Sequence, residues 1–256
     1  MKSLKKVLFL AIIFAMLVSM AACGKIDTMA RINKTEKVVW GTNAAFAPFE
    51  MRDGDDVIGI DSHVAEKIAD KLGVELVVED MKFDALPAAL KSGKIDFIAA
   101  GYSIRPDREE EMTFSVEYFT AVQAILVEEE NEEITGAEDL KNKKIGVQNG
   151  TTGDFLVTDD IEGTDVQRYN NGLEAVMDLK NGNLDAVVID ALPAEILLSE
   201  HDGIKLLDEP AGEEEKYAIA VRKGDQELID VIDEVLTVMM ASGELEELVN
   251  RYSIGE

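Results

Sequence analysis

The chain contains one short phrase twice, and this repeat constrains its fold more than any other feature. Residues 90–96 read LKSGKID and residues 179–185 read LKNGNLD, so both copies follow the pattern L-K-[S/N]-G-x-[I/L]-D. Each copy ends a helical pattern at a glycine and leads into a short apolar strand, at 97–100 and 186–189. Ligands of open α/β sheets gather beyond the carboxyl ends of the strands. The repeat therefore predicts two similar α/β units that face one small ligand between them.

Strand and helix patterns alternate along most of the chain, which is typical of α/β architecture with mostly parallel sheets. Asp53 and Gly54 supply the turn of a hairpin over 50–58, and Asp61 is placed to cap the helix that follows. Strands are predicted at residues 37–42, 74–79, 97–100, 121–127, 143–148, 165–169, 184–189 and 216–221. Helices are predicted at residues 61–72, 84–92, 172–181, 192–199, 225–241 and 244–252, with short ones beginning near 106 and after 149–153.

Two placements are open for the C-terminal segment, because the second repeat unit is complete by about residue 210. The segment could form a third small subdomain. Alternatively, strand 121–127 crosses to the second lobe and strand 217–222 crosses back, so that the final helices pack on the first lobe. Two crossing strands would form a hinge, and closure about a hinge is an established way of enclosing a ligand.

The first 22 residues have the composition of a secretory signal peptide. Three lysines within the first six residues precede an apolar run at 7–18, which is shorter than the ~20 residues that span a bilayer. Cys23 follows the signal directly and is the only cysteine. Residues 20–23 (MAAC) resemble a bacterial lipobox, which predicts removal of residues 1–22, a lipid on Cys23 and a polar tether over 23–35. A free cysteine beside an uncleaved signal is the alternative.

Charge and cysteine content exclude several classes of protein. The net charge is −27, and removal of the signal takes away three lysines and changes it to −30. This charge opposes binding to nucleic acid and to anionic membrane surfaces, and it favours a soluble monomer. A single cysteine allows no intramolecular disulfide. The sequence has no phosphate-binding G-x-x-x-x-G-K-[S/T] motif and no metal-ligating cluster, so we expect no cofactor and no metal.

Three further segments carry a resemblance to a known family. Residues 41–50 (GTNAAFAPFE) are followed by GID at 59–61, residues 100–108 read AGYSIRPDR, and residues 147–153 read VQNGTTG. In this order and spacing they resemble the polar amino acid solute-binding proteins of ABC importers, family 3. The resemblance covers about residues 38–252, nearly the whole chain after the signal.

The resemblance implies an α/β fold of the periplasmic-binding-protein type II, with two lobes joined by two hinge strands and a cleft between them. Lobe 1 is expected to comprise residues 36–120 and 218–256, and lobe 2 residues 121–217. It also implies the function. An extracytoplasmic lipoprotein, attached to the cell membrane through Cys23, would capture an L-amino acid by lobe closure and deliver it to an ABC permease.

An α-amino acid carries a carboxylate and an ammonium group, and each needs a charged, hydrogen-bonding partner once it leaves water. Arg108 matches the family arginine that binds the carboxylate, a role that suits arginine because its planar fork donates two parallel hydrogen bonds. An ion pair with Glu110 or Glu111 is the structural alternative for Arg108. Arg105 is a competitor for the ligand carboxylate.

The other polar contacts of the ligand backbone are expected from both lobes. Gly101 and Ser103 would supply a carbonyl and a hydroxyl or amide, and Thr152 an amide at a helix N-terminus. Thr151 or Thr152 could instead serve only as a helix cap. Asp190 is expected to accept from the ligand ammonium because it follows the second repeat strand; capping the next helix is its alternative role.

The resemblance also indicates the pocket for the ligand side chain. Phe46 and Phe83 match positions that form its walls. Asn43 and Gln148 match positions that contact the side chain, and two neutral amides favour a polar, uncharged ligand. Tyr102 departs from the family pattern and is expected to narrow the pocket. The predicted ligand-binding set is Asn43, Phe46, Phe83, Ala100, Gly101, Ser103, Arg108, Gln148, Thr151, Thr152 and Asp190.

Two other functions compete with transport on this fold. Some relatives are periplasmic dehydratases, which need a general acid or base in the cleft. Besides Asp190, the matched side-chain positions Asn43, Phe46, Phe83 and Gln148 are not titratable, so we expect that the chain is not an enzyme. A ligand sensor is the other alternative, and it would have to act through a partner because no signalling module is present.

Overall fold

The computed structural model describes residues 27–253. The predicted signal peptide and Cys23 lie outside the described residues. Within residues 27–253, no helix is both long enough and apolar enough to cross a membrane. The helices are α1 Thr28–Thr35, α2 Ile60–Leu72, α3 Leu86–Ser92, α4 Pro106–Glu111, α5 Thr152–Phe155, α6 Gly172–Lys180, α7 Ala191–Glu200, α8 Gln226–Ser242 and α9 Glu244–Ser253.

The strands alternate with these helices as the sequence patterns predict. Several bounds differ by one to three residues from the prediction, and the segments predicted as single strands at 121–127 and 216–221 are each divided into two. The strands are β1 Lys37–Thr42, β2 Ala45–Phe46, β3 Glu50–Asp53, β4 Asp56–Ile58, β5 Glu75–Asp80, β6 Phe97–Ile98, β7 Met112–Phe114, β8 Phe119–Ala121, β9 Gln123–Glu128, β10 Lys144–Gln148, β11 Asp165–Tyr169, β12 Ala186–Asp190, β13 Ile204–Leu206, β14 Glu215–Tyr217 and β15 Ala220–Arg222.

Two five-stranded sheets of matching topology form the two lobes. The first sheet has the order β5-β1-β6-β15-β7 and the second the order β11-β10-β12-β9-β13. In each sheet the first three strands are parallel, and the fourth runs antiparallel to its neighbours. The two-lobe α/β fold predicted from the repeat is therefore confirmed, with one antiparallel strand in each sheet.

The repeated phrase has the same structural role in both lobes. Its glycine ends a helical segment with positive φ, +76° in the first copy and +70° in the second. Its final aspartate then forms a hydrogen bond to the neighbouring parallel strand, β1 in the first sheet and β10 in the second. The Asp96 carboxylate accepts from the Val39 N–H at 2.8 Å, and the Asp185 carboxylate accepts from the Lys144 N–H at 2.7 Å. The phrase thus aligns the third strand of each sheet with the second, β6 with β1 and β12 with β10.

The chain crosses between the lobes twice. Strands β8 and β14 pair with each other in a separate two-stranded sheet, with Phe119 opposite Tyr217. Strand β9 then enters the second sheet, and β15 returns to the first. Helix α8 packs against α2, and α9 packs on both of them. The final helices therefore pack on the first lobe and do not form a third subdomain.

Residues 28–35, predicted as part of a polar tether, form helix α1. Asp27 caps the helix by accepting from the Ala30 N–H at 2.9 Å, and Ile32 is completely buried. Arg31 forms an ion pair with the buried Asp96. A tether over these residues is therefore wrong, because an apolar and an ionic contact hold the segment against the first lobe.

Asp61 does not cap helix α2 as the sequence predicted. The helix begins after Gly59, and Asp61 lies in its first turn with its side chain completely buried. Its carboxylate accepts from the Gly101 N–H at 2.8 Å and from the Tyr118 hydroxyl at 2.7 Å. Asp61 therefore connects α2 to the loop after β6 and to the segment before β8.

Candidate ligand-binding cleft

One cavity lies between the lobes, and all eleven predicted ligand-binding residues line it. The space between its lining atoms is about 290 Å³, a figure that includes open solvent at its mouth. Glu50, which the sequence analysis did not select, completes the lining. The roles of the eleven residues in binding stay predictions, whereas their convergence on one cavity is observed. The lining is Asn43, Phe46, Glu50, Phe83, Ala100, Gly101, Ser103, Arg108, Gln148, Thr151, Thr152 and Asp190.

Strand ends explain why these residues meet. Asn43 directly follows β1, and Gly101 and Ser103 follow β6; Gln148 and Asp190 are the last residues of β10 and β12. Each strand is one of the three parallel strands of its sheet, so their carboxyl ends lie at one edge. The two edges face each other across the cleft.

Arg108 is buried at the cavity, with only 7% of its surface exposed. Its guanidinium donates to the Ser103 carbonyl at 2.7 Å and, across the cleft, to the Gly150 carbonyl at 3.0 Å. Burial lowers the pKa of Arg108 from its ordinary value. The alternative pairing is not seen, because Glu111 instead binds Lys91 at 2.6 Å. Arginine has five N–H donors, so others remain for a ligand carboxylate.

Tyr102 supports Arg108 rather than narrowing the pocket. The Arg108 guanidinium lies over the Tyr102 ring, 4.1 Å from its centroid. Tyr102 is almost completely buried, packs against Phe83 and Phe114, and is not part of the cavity lining. The expectation that it narrows the pocket is therefore wrong. It provides an aromatic face that orients the guanidinium.

Arg105, the predicted competitor, does not line the cavity. Its guanidinium donates to Asp107 at 2.9 Å and lies over the Phe155 ring, 4.0 Å from the centroid. Phe155 belongs to the second lobe, so this contact crosses the cleft beside the cavity. The geometry thus leaves Arg108 as the cavity arginine.

Asp190 ends strand β12 with its side chain buried in the cleft. It occupies the N-cap position of α7 without making a side-chain cap bond, and instead accepts from the Tyr217 hydroxyl. Burial, and then the negative charge of Glu215, raise the pKa of Asp190 to about 7. Burial disfavours the ionised form of this carboxyl group, and a cationic partner in the cleft would stabilise that form.

The two threonines after β10 have different roles. Thr151 caps α5 by accepting from the Asp154 N–H at 3.3 Å, and it donates to the Gln148 carbonyl at 2.8 Å. Thr152 is the first residue of α5, and its hydroxyl accepts from the Gln123 amide at 3.2 Å. The capping alternative is therefore realised by Thr151. The Thr151 hydroxyl is therefore used by the cap, although both threonines line the cavity.

The neutral amides form a chain that ends on a buried acceptor. Asn43 donates to the Met81 carbonyl at 2.9 Å, so its side-chain oxygen accepts from Gln148 at 2.9 Å. Gln148 Oε1 is then left buried without a hydrogen-bond partner among the described residues. The Met81 carbonyl fixes both amide orientations, because only an N–H can face it. The amide pair therefore offers an acceptor to the cavity.

Glu50 is the one residue of the cavity lining that sequence reasoning missed. It is completely buried beside Asp61 and Thr42, which act on its pKa as hydrogen-bonding neighbours, and neither carboxyl oxygen makes a well-formed hydrogen bond within the described part of the chain. Burial, and then the charge of Asp61, raise the pKa of Glu50 well above its ordinary value. The available signal was its position at the end of the apolar run AFAPFE, where a carboxylate has few routes to solvent. Buried polar groups without partners are uncommon, so Glu50 points to a ligand group.

Close packing shapes the aromatic wall. The Phe46 ring stacks with Phe49 at 5.8 Å between centroids. Gly101 has φ +53°, and a Cβ there would lie 2.6 Å from the edge of the Phe46 ring. Only glycine fits this position without displacing the ring, because both the backbone conformation and the contact exclude a side chain.

Comparisons with known proteins agree with this geometry. Residues 38–256 match the family described as bacterial extracellular solute-binding proteins, family 3. The arginine-binding extracellular protein ArtP of Bacillus subtilis is 32% identical over 99% of this chain and 100% of its own length. Other relatives are named L-cystine-binding and probable histidine-binding proteins.

Solved structures show the same two-lobe fold. ArgBP from T. maritima aligns with a TM-score of 0.83 and 35% identity, covering 88% of this chain and 98% of that one. AbpA from Streptococcus pneumoniae, solved with L-arginine bound, aligns with a TM-score of 0.84 and 29% identity over 89% of this chain and 100% of that one.

The family match spans most of the chain, and the cavity lies where a two-lobe binding protein encloses its ligand. The lobes have the periplasmic-binding-protein type II fold. The relatives named above are binding proteins rather than enzymes. Among residues 27–253, no group of His, Cys, Asp and Glu side chains is arranged to hold a metal ion. This chain belongs to the bacterial extracellular solute-binding proteins, family 3, which bind amino acids for ABC transporters.

Proposed function

We propose that this chain captures L-arginine outside the cytoplasm and delivers it to an ABC permease. The observation that carries the proposal is the set of buried oxygens without partners at the cavity: both carboxyl oxygens of Glu50 and Oε1 of Gln148. Gln148 Oε1 is a hydrogen-bond acceptor, and both Glu50 oxygens are acceptors when the carboxyl group is ionised. A side chain that consists only of donors satisfies them best, and the guanidinium group of arginine is such a side chain.

Arg108 and Asp190 bind the backbone of the amino acid in this proposal. Arg108 receives the ligand carboxylate, and the two form a bidentate pair that is stronger than neutral hydrogen bonds. Asp190 receives the ammonium group, which favours the ionised form of this carboxyl and lowers its pKa from about 7. The ligand's two backbone charges are then both compensated inside the cleft.

Glu50 receives the guanidinium group at the other end. Without a cation beside it, burial and the nearby Asp61 favour the protonated form of Glu50, because its pKa is raised. A guanidinium group in contact with it would favour the carboxylate and form a charge-assisted pair. The rings of Phe46 and Phe83 form the walls of this pocket, and guanidinium groups stack well on aromatic faces. The names of the relatives ArtP and ArgBP agree with this choice.

A polar, uncharged amino acid is the second candidate, as the sequence analysis predicted. Asn43 and Gln148 are both neutral, and a protonated Glu50 would leave the pocket without charge. A glutamine side chain could donate to Gln148 Oε1. A protonated Glu50 could donate to the glutamine carbonyl, so the two candidates differ in whether Glu50 ionises when the ligand binds. The names of the arginine-binding relatives favour the donor-only side chain.

Glu50→Gln separates the two candidates. The change keeps the size of the side chain and removes its ability to become negative. Hydrogen bonds to charged groups contribute about 1.5–3 kcal/mol, so we expect the affinity for arginine to fall by about 10- to 100-fold, measured by isothermal titration. Glutamine affinity should change little. Glu246→Gln, on the exposed face of α9, removes the same formal charge and is the matched control.

Citrulline provides the complementary ligand-side test, because it replaces the guanidinium group with a neutral urea group of nearly the same shape. Wild-type protein should bind arginine at least tenfold more tightly than citrulline, and Glu50→Gln should remove most of that preference. Equal binding of arginine and citrulline by the wild type would exclude Glu50 as a counter-ion. Tighter binding of glutamine than of arginine would favour the polar, uncharged candidate.

The proposal includes export and anchoring. Residues 1–22 act as the signal, a lipid on Cys23 attaches the monomeric protein to the cell membrane, and residues 36–120 with 218–256 and residues 121–217 form the two lobes. Wild-type protein should incorporate a labelled fatty acid, and Cys23→Ala should not. Absence of the label from the wild-type protein would contradict the lipid anchor. We propose no catalytic activity and no sensor role.

A further inference from the structure

We infer that Arg105 and Phe155, together with Asp84 and Asn149, form a latch that stabilises the closed cleft and sets the affinity for every ligand by a common factor. The inference rests on the proposed capture of an amino acid by lobe closure. The four residues lie outside the lining of the ligand cavity. They are therefore placed to affect closure without selecting the ligand.

Two contacts cross the cleft in this latch. The Arg105 guanidinium from the first lobe lies 4.0 Å from the centroid of the Phe155 ring in the second. The Asn149 side-chain amide of the second lobe donates to the Asp84 carboxylate of the first at 2.7 Å. Each contact joins a residue of the first lobe to a residue of the second, so rotation of the lobes about the hinge would break both contacts.

Local structure presents these side chains towards each other. Arg105 directly precedes α4 in an extended conformation, and its bond to Asp107 holds the guanidinium in place. Phe155 ends helix α5, which begins within the turn after β10. Asn149 lies in that same turn, so the end of one strand and the short helix after it carry both latch residues of the second lobe.

The stability of the closed form affects the measured affinity because only the closed fraction of the protein binds the ligand tightly. The apparent dissociation constant equals the intrinsic one divided by that fraction, so a weaker latch raises it equally for all ligands. A half-buried cation–π contact such as Arg105 on Phe155 corresponds to about a two- to fivefold change. Since the same factor multiplies every ligand, the ratio of affinities between two ligands should not change.

A double-mutant cycle in the chain from residue 24 tests the latch. Arg105→Ala, Phe155→Ala and the double variant are titrated with L-arginine and with L-glutamine. Each single variant should weaken binding of both ligands by the same two- to fivefold factor, and the double variant should be no weaker than the singles. Arg251→Ala, an exposed charge on α9, is the matched control and should leave affinity unchanged.

Three results would overturn the latch: unchanged affinity in both single variants, additive losses in the double variant, or a change in the ratio between the two ligands. Asn149→Ala tests the latch independently, because it removes the contact between Asn149 and Asp84. Its loss should also be equal for the two ligands.

A distance measurement keeps the latch testable if arginine does not bind. The chain from residue 24 lacks the only cysteine, so spin labels can be attached at Asp55→Cys in the first lobe and Lys180→Cys in the second, both exposed. In the absence of ligand, Arg105→Ala should shift the distance distribution towards a more open cleft. An unchanged distribution would contradict the latch, whereas failure of arginine to bind would contradict only the proposed function.

Discussion

Asp190→Asn should make the stability of the ligand-free protein less dependent on pH. The substitution keeps the shape of the side chain and an acceptor for the Tyr217 hydroxyl, but it removes the titratable group. In the wild type, burial and then the charge of Glu215 raise the pKa of Asp190 from 3.8 to about 7. Above pH 7 the folded wild type contains a buried, ionised carboxyl group, which lowers its free energy of unfolding. The asparagine variant has no such group.

The size of the effect follows from proton linkage. A raised pKa in the folded state means that the stabilising contribution is complete below the unfolded pKa and is lost as pH rises through about 7. At pH 5 the folded carboxyl is protonated and at pH 8 it is ionised, whereas the unfolded carboxyl is ionised at both. The folded state holds the extra proton over about two pH units of this interval, which corresponds to about 2–3 kcal/mol.

Urea unfolding of both proteins at pH 5 and pH 8 measures this difference. The free energy of unfolding of Asp190→Asn, relative to wild type, should be about 2–3 kcal/mol higher at pH 8 than at pH 5. Asp178→Asn is the control: bonds from Tyr169 and Asn183 lower the pKa of Asp178, so it is ionised throughout this range. A relative stability of Asp190→Asn that is equal at the two pH values would refute the reasoning.

Three further substitutions test other parts of the account. Arg108→Ala should abolish arginine binding in a titration, because no other side chain of the cavity can pair with the ligand carboxylate. Circular dichroism should show an intact fold. Micromolar binding by this variant would contradict the role of Arg108. Gly101→Ala should cost about 1–3 kcal/mol in urea unfolding, because the new methyl group overlaps the Phe46 ring, and an unchanged stability would show that the ring moves freely. Asp96→Ala should cost about 2 kcal/mol or more because it removes the buried carboxylate that binds Arg31 and Arg222. Asp185→Ala removes one exposed hydrogen bond and should cost about 1 kcal/mol; equal losses would contradict the difference in burial.

The sequence was sufficient to predict the two-lobe fold and eleven of the twelve residues that line the cavity. The repeated phrase marks the third strand of each sheet, and the residues after those strands, such as Ser103 and Asp190, converge because parallel strands end at one edge. Local patterns are reliable here since a glycine stop and an apolar strand are short-range features. The same patterns also predicted the crossing strands and the packing of α8 as one of two alternatives.

Features that depend on distant contacts were missed. Asp61 looks like a helix cap in the sequence, but its partner Gly101 lies 40 residues away and draws the side chain inward. Helix α1 has only eight residues and depends on contacts such as Arg31 with Asp96, so its own sequence gives little signal. Glu50 is buried by the packing of its hairpin on the rest of the lobe. This packing cannot be read from the local sequence, so no carboxylate was expected in the side-chain pocket and the pocket was predicted to be neutral.

The most direct test of the account is isothermal titration of the chain from residue 24, stripped of bound ligand, with each common L-amino acid. The account predicts one site per chain with micromolar or tighter affinity for L-arginine, loss of that affinity in Arg108→Ala, and weaker binding of amino acids without a cationic side chain. A folded protein that binds none of the amino acids would contradict the central claim, and so would tight arginine binding that survives in Arg108→Ala.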